Sequence, residues 1–306
     1  MRPADEMSIF VEVVNGGSFS AAAEALRVTP SAVSKNIARL EDRLGVRLLH
    51  RTTRQLSVTE EGEAFYQRCR RILSDIEEAE AEVSSARVEP RGTLRVNSVI
   101  HFGLHHLTPM MPDFLARYPQ LDVQLTLDDR IVDIVEQGFD VAIRAGFLED
   151  SNLVARRLGG NHRVVVAAPS YLAKHGEPKT PDALSGHNCL LYSQLDYLNH
   201  WEFPRADGSL QVIEAKGNFS ANTGEALREA ALAGIGVARL ATFSIGESLR
   251  AGALRHLLPE YTQDGGNVYA VYPHRRHLSS KVRVFVDYLV ERIGPSAPWD
   301  AELGSR

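Results

Sequence analysis

Cysteine is nearly absent from this chain: Cys69 and Cys189 are the only two, and they lie far apart. That excludes a disulfide scaffold and leads one to expect a reducing, cytoplasmic setting. The opening MRPADEMSIFVEVV carries acidic residues and lacks a long apolar core, so it reads as neither a secretory signal nor a membrane span, and no membrane partner is expected. No GxSxG, P-loop or HExxH pattern occurs. Hydrolase, nucleotide-hydrolysing and zinc-protease chemistry therefore has no residues to perform it, and an enzyme is not expected. Gly234-Ile235-Gly236 follows a helical pattern and lacks a dinucleotide loop's third glycine, so it reads as a helix stop.

What is present is enough chain for two cores: 306 residues, 44% of them hydrophobic. Charge is unevenly placed. From Arg27 to Arg54 there are seven basic residues against Glu41 and Asp42, seven minus two giving +5, in a chain of net charge −5. Basic charge thus collects where a polyanion would dock.

The same region has the grammar of a helix-turn-helix. After a first helix burying Ile9, Phe10 and Val13 and ended by Gly16-Gly17, an alanine-rich helix starting near Ser18 or Ser20 buries Ala22, Ala25 and Leu26 and breaks at Arg27-Val28. A further helix is announced by Thr29-Pro30, a good N-cap followed by a proline whose missing N–H would have been orphaned anyway. Val33, Ile37, Leu40 and Leu44 form its apolar stripe, leaving Ser31, Ser34, Lys35 and Arg39 on other faces. In this motif the second helix meets base edges through its N-terminal residues. Thr29, Pro30, Ser31, Ser34 and Lys35 are therefore the base-edge and register candidates. Ser18, Ser20 and Arg39 are further DNA contacts, and Arg51 and Arg54 belong to a basic wing.

Thr59 then caps a long helix with Glu60 and Glu61 in its first turn, complementing the helix dipole. Phe65, Cys69, Ile72, Ile76, Ala79, Val83 and Ala86 recur at alternating spacings of four and three, a heptad seam that predicts pairing with a second copy. The same period also suits one helix packed on its own domain. Cys69 reads as a packing residue.

Glu89-Pro90-Arg91-Gly92 ends the helix. Strand-like and helix-like segments then alternate: Leu94 and Val96, a helix at 109–118, Val123 to Leu127, a helix ended by Gly138, strands at 141–144, 163–168 and 267–272, and a helix at 279–293. The segment Ser98-Val99-Ile100-His101-Phe102-Gly103 follows a strand and precedes a helix, where open α/β sheets bind ligands. His101 and His105 are four apart. With His101 read as preceding the helix and no Cys or carboxylate nearby, they read as cap, solvent or pocket groups, and no metal is expected.

The run from Ser18 through Leu44, Leu48, Arg51 to Arg54 and Thr59-Glu60-Glu61-Gly62 strongly resembles the LysR-type transcriptional regulators. So, in the same order, do Asp133 to Gly146, Leu153 to Leu158, Ala168 to Leu172, His187 to Leu190 and Ala230 to Val237. The resemblance spares only the last dozen residues or so. It implies an α+β multidomain chain: a winged helix-turn-helix over 1–58, a linker and dimerisation helix over 59–88, and an α/β effector domain over 89–294. That domain would have two lobes of periplasmic-binding-protein type II, about 92–160 with 268–294 and about 161–267, crossing near Gly160 and Asn267. Residues 295–306 are read as a tail.

The resemblance also implies operator binding to double-stranded DNA, modulated by a small-molecule effector with no other cofactor. It implies a homodimer extending to a homotetramer, with RNA polymerase as a further partner. Effector contacts carried over are Ser98, Ile100, His101 and Phe102, with Asp128, Phe147, Asn222 and Thr223. Arg239 departs from the pattern, standing where small or apolar residues are usual, and Ala241 where proline is common. Arg239 is a candidate to hold an anionic effector or bridge the lobes, against a plain solvent-facing arginine. The competing reading is a solute-binding or enzymatic α/β protein with an accessory helical domain, against which stand the missing export signal and the missing catalytic constellation.

Overall fold

A computed structural model describes residues 3–51, 56–83, 89–148, 151–205, 207–274, 278–294 and 297–303. The chain divides into two compact units, the first made of Met1–Val88 with the short segment Glu136–Gly138 and the second of Glu89–Val135 with Phe139–Arg306. In the first, α1 (Pro3–Gly16), α2 (Phe19–Ala25) and α3 (Pro30–Leu44) precede a two-stranded wing, β1 (Leu49–Arg51) and β2 (Leu56–Val58), and the long α4 (Glu60–Val83). The caps are where the sequence puts them. Ser18 Oγ accepts from Ala21 N at 3.1 Å and Thr29 Oγ1 from Ala32 N at 3.3 Å. Thr59 Oγ1 accepts from Gly62 N at 2.9 Å and donates to Arg47 O at 2.8 Å, so it starts α4 and ties it to the wing. Gly45 closes α3 at φ +72°, a conformation that a side chain would strain.

Val33, Ile37 and Leu40 are fully buried with Phe10, Val13, Leu48 and Leu49. Each such side chain supplies about 1.5–3 kcal/mol of burial. Two details depart from expectation. α2 ends at Ala25, so Leu26 is its half-buried cap and Ala25 is exposed, while Ala23 takes the core position. Ile9 is only half-buried, and Val11 lies inside. On α4, Cys69 is buried among these residues and Phe65 packs against them, so the start of the heptad seam serves this unit's own core. Burial pushes the Cys69 thiol up to about 11, which makes it inert. Ile72 and Ile76 stay exposed. Ala86 and the side chains of Ala79 and Val83 lie outside the described residues.

The second unit contains β3 (Gly92–Ser98), α5 (Ile100–Phe102), α6 (Thr108–Arg117), β4 (Leu121–Leu127), β5 (Val141–Gly146), β6 (Leu153–Ala167), α7 (Pro169–His175), β7 (Leu190–Tyr192), β8 (His200–Pro204), β9 (Leu210–Glu214), β10 (Phe219–Ala221), α8 (Gly224–Leu232), β11 (Ala238–Ala241), α9 (Thr242–Arg250), β12 (Arg255–Leu257), β13 (Gln263–Pro273) and α10 (Ser280–Ile293). Its main sheet runs β11-β6-β13-β5-β3-β4, with β12 also on β6. β3 is parallel to β4 and β5, whereas the long β6 and β13 are antiparallel and run through both lobes. Asn267 pairs with Gly160 beside a register shift, so the sheet bends at the strand crossing.

Lobe I packs Leu94, Val96, Phe102, Phe114, Ile143, Phe285 and Leu289. In lobe II successive valines of β6 face opposite layers: Val165 joins Trp201, Phe203 and Leu257, while Val164 and Val166 join Leu227, Leu240 and Ile245.

The sequence reading needs three corrections here. The segment ended by Gly138 is a hydrogen-bonded turn rather than a helix, with Phe139 N donating to Ile134 O at 2.9 Å. The strand expected at 163–168 begins ten residues earlier, at Leu153. The residues read as a tail include a 3-10 turn, Pro298–Leu303, whose Trp299 is buried and donates from Nε1 to Gly160 O at 2.9 Å. Room for that indole comes from glycines. A Cβ on Gly159 would lie 2.9 Å from the Trp299 ring, and one on Gly246 would lie 2.7 Å from the Trp299 carbonyl oxygen.

Candidate DNA interface and effector cleft

On α3 and its approach, Ser20, Thr29, Pro30, Ser31, Lys35 and Arg39 are exposed, and Ser18 and Ser34 are half-buried. The Ser18 and Thr29 hydroxyls are committed to capping, so they place the helices. Ser31, whose Oγ lies 3.1 Å from Thr29 Oγ1, and Lys35 are left to meet a ligand. Two basic residues of the cluster are already engaged. Arg43 Nη2 pairs with Glu6 on α1 at 2.8 Å, and Arg47 Nη1 lies 3.4 Å from Glu41. Glu41 is the residue sequence reasoning missed: it is buried on α3, and its Oε1 accepts from Leu48 N at 2.9 Å and Leu49 N at 3.1 Å. One carboxylate thus sets the wing's first strand against the recognition helix. The Arg51 side chain and Arg54 lie outside the described residues.

Between the lobes of the second unit is a cavity of about 570 Å³. Its walls are mostly apolar, with Val99, Ile134, Leu153, Phe243 and Val271, and Ile131 and Phe147 are strongly exposed where they border it. Three arginines line it, Arg130 and Arg144 from lobe I and Arg163 from lobe II. Arg144, at the carboxyl end of β5, donates to Asn97 Oδ1 at 2.5 Å and to Val132 O at 3.3 Å, and burial lowers its pKa. Arg163, on β6, is hydrogen-bonded to the Tyr192 hydroxyl. Asp129 joins the lobes: Oδ1 accepts from Ile100 N at 2.8 Å and Oδ2 from Gly224 N, the start of α8, at 3.2 Å. Burial raises its pKa against the pull of those two amides.

A second junction lies alongside. α5, a π turn over Gly103–Leu107 and α6 form one continuous helix, so His101 sits inside it rather than before it. The wide turn stacks the His101 and His105 rings at 4.2 Å, and both meet Glu225 in the first turn of α8. His101 donates from Nδ1 to Glu225 Oε2, and His105 Nε2 lies 3.2 Å from Glu225 Oε1. Burial lowers the pKa of His101 against the opposing pull of the Glu225 carboxylate. Glu225 is lowered despite its burial, because both imidazoles hydrogen-bond its charged form.

This arrangement has known counterparts. Residues 4–63 match the family model for the bacterial regulatory helix-turn-helix protein, lysR family, and residues 87–294 match that for the LysR substrate binding domain. The chain belongs to the LysR-type transcriptional regulators. It is 42% identical over 292 residues to the HTH-type transcriptional regulator CrgA of Neisseria meningitidis serogroup C (strain 8013), covering 95% of this chain and 97% of that one. It is 39% identical over 286 residues to DmlR of Escherichia coli (strain K12), covering 93% and 92%. The solved structure of CrgA superposes with a TM-score of 0.63 at 40% identity, over 96% of this chain and all of the other. As a LysR-type regulator the protein binds DNA and couples that binding to a small-molecule effector in its α/β domain, and it is not an enzyme. Among the described residues no helix is long and apolar enough to cross a membrane.

Of the residues expected in this regulator's cleft, His101 and Phe147 line it. The others sit a position or two away, doing structural work. Ser98 is buried with Oγ donating to Val99 O, Ile100 supplies its N–H to Asp129, and Phe102 is core. Asp128 is gripped by Arg130, with Nη2 at 2.7 Å from Oδ2, and that bond lowers its pKa. Asn222 is exposed, and Thr223 caps α8 by accepting from Ala226 N at 3.2 Å. Arg239 is not a lining residue. It pairs across the sheet with Val165, and burial, then the charge of Arg163, lowers it to about 10 against the opposing pull of Glu202. What sequence reasoning missed is Asp129, Arg144, Arg163 and Glu225. Arg144 and Asp129 each lie at or just past a strand's carboxyl end, a signal available without coordinates.

Proposed function

We propose that a homodimer of this regulator, paired through the exposed Ile72 and Ile76 face of α4, reads a two-fold operator with α3 and the wing. Its effector is a small carboxylate with an apolar body. The observation that supports the effector class is the presence of Arg144 and Arg163, one from each lobe, in a mostly apolar cavity whose other charged lining residues, Asp129 and Arg130, are already hydrogen-bonded within lobe I or across the lobes. Guanidinium groups bind carboxylates in a matched, charge-assisted geometry, and the apolar walls favour a ligand whose remainder is hydrophobic. Ser31 and Lys35 contact the operator, Thr29 and Pro30 set the helix register on it, and Arg51 and Arg54 reach the backbone or minor groove from the wing. Reading an operator puts this regulator in the cytoplasm, in keeping with its near-absence of cysteine.

The test uses the full chain. Gel shifts with DNA from upstream of its own gene, with and without heparin, are expected to give a heparin-resistant complex. A complex lost to heparin would overturn the sequence-specific reading. Thermal shifts with small carboxylates such as benzoate, each beside its neutral amide, are expected to stabilise the protein for the acids alone and to vanish in Arg163→Gln. Equal shifts for acid and amide would refute the anionic effector.

A further inference from the structure

We propose that His101, His105 and Glu225 form a site for a divalent transition-metal ion of zinc type, spanning the two lobes of the effector domain. The ligand atoms of the three residues all lie within 4.8 Å of one another. A zinc ion about 2.0–2.2 Å from each would set them roughly 3.4 Å apart, a rearrangement small enough for side-chain rotation. Two imidazoles and one carboxylate are a donor set that such ions favour, and three protein ligands leave a position open.

The surroundings fit that role. His101 lines the effector cavity, so the open coordination position is near it. Asp129 is not a competing ligand, because both its oxygens are taken by backbone N–H groups. His106 points elsewhere, with Nε2 at 2.8 Å from Phe243 O. The cation closest to the carboxylate is Arg228, 3.6 Å from Glu225 Oε1, and it is also bound to Glu229 and Ser248. Coordination through His101 Nδ1 requires the proton that this nitrogen donates to Glu225 to leave or move to Nε2. The helical spacing of the two histidines comes from the π turn and the third ligand from a helix 120 residues away, which is why a search among sequence neighbours finds no third ligand.

Because the histidines belong to lobe I and Glu225 to lobe II, a bound ion holds the lobes together. The site stands independently of the carboxylate effector. It is tested on tag-free, chelator-stripped full-length protein titrated with Co²⁺ by visible absorbance and with Zn²⁺ by calorimetry. One equivalent per chain is expected to bind at micromolar or lower concentration, with an upward thermal shift. Loss of a group that only hydrogen-bonds a ligand already weakens metal sites by about 10–100-fold, so losing a direct ligand is expected to cost at least about 100-fold. His105→Ala, at an exposed position, and the nearly isosteric Glu225→Gln should each show that loss while keeping their circular dichroism. No stoichiometric binding to the unmodified protein, or binding retained in either variant, would overturn the proposal.

Discussion

At the scale of single residues, one buried side chain outside the expected DNA contacts sets the geometry of the reader. Glu41 is buried on α3 and accepts from two consecutive wing amides. Hydrogen bonds to a charged group are worth about 1.5–3 kcal/mol, and leaving buried amides unpaired costs about 1–3 kcal/mol each. Glu41→Ala is therefore expected to lower the stability of the DNA-binding unit by about 2–4 kcal/mol, read as an earlier first transition in urea, and to weaken operator binding although no contact residue has changed. Lys35→Ala is expected to do the converse: unchanged urea transitions, weaker binding to every DNA sequence, and a log–log salt slope flatter by about one unit. Gel shifts across a salt series check this, and an unchanged slope would remove Lys35 from the phosphate contacts. Glu41 counts only as a charge in the sequence. Its role depends on burial beside Leu48 and Leu49, which local composition does not encode.

At the scale of elements, legibility followed the range of the interaction. The caps Ser18, Thr29 and Thr59 act over three residues and stand in the sequence as they stand in the fold. The 3.6-residue stripe of α3 is equally local. The effector cleft is not. Its walls come from strand ends and helix starts far apart in the chain, and a shift of one residue separates a pocket wall from a structural pin, as Asp128 and Asp129 show. The ten extra residues of β6 are likewise settled by pairing across the sheet, against β13.

The heptad seam on α4 divides by the same logic. Cys69 is spent on the core of its own unit, while Ile72 and Ile76 have apolar surface left to bury. Ile72→Glu should dissociate the dimer by more than tenfold in sedimentation equilibrium while leaving the chain folded. A dimer constant unchanged by it would place the interface elsewhere.

At the scale of the whole molecule, the effector unit is one sheet bent between two lobes, with Asp129 and the histidine–glutamate junction crossing the gap on one side and Trp299 packed at the strand crossing. The indole stands 5.6 Å from Phe102 and 4.8 Å from His106, so it supports the same helix that presents His101 to the cleft. Trp299→Ala is expected to cost about 3–5 kcal/mol, the range for emptying a large aromatic site. The second urea transition should move while the first stays in place, and movement of the first transition instead would mean that Trp299 does not belong to this core.

That buried indole also dictates where the gene can be cut. The family pattern stops at residue 294, and a fragment ended there would drop Trp299 while keeping Gly159 and Gly246, whose missing side chains exist to admit it. Such a fragment would carry an unfilled apolar hole and a bare Gly160 carbonyl at its crossing. An expression fragment for crystals or ligand screening should run at least through Leu303.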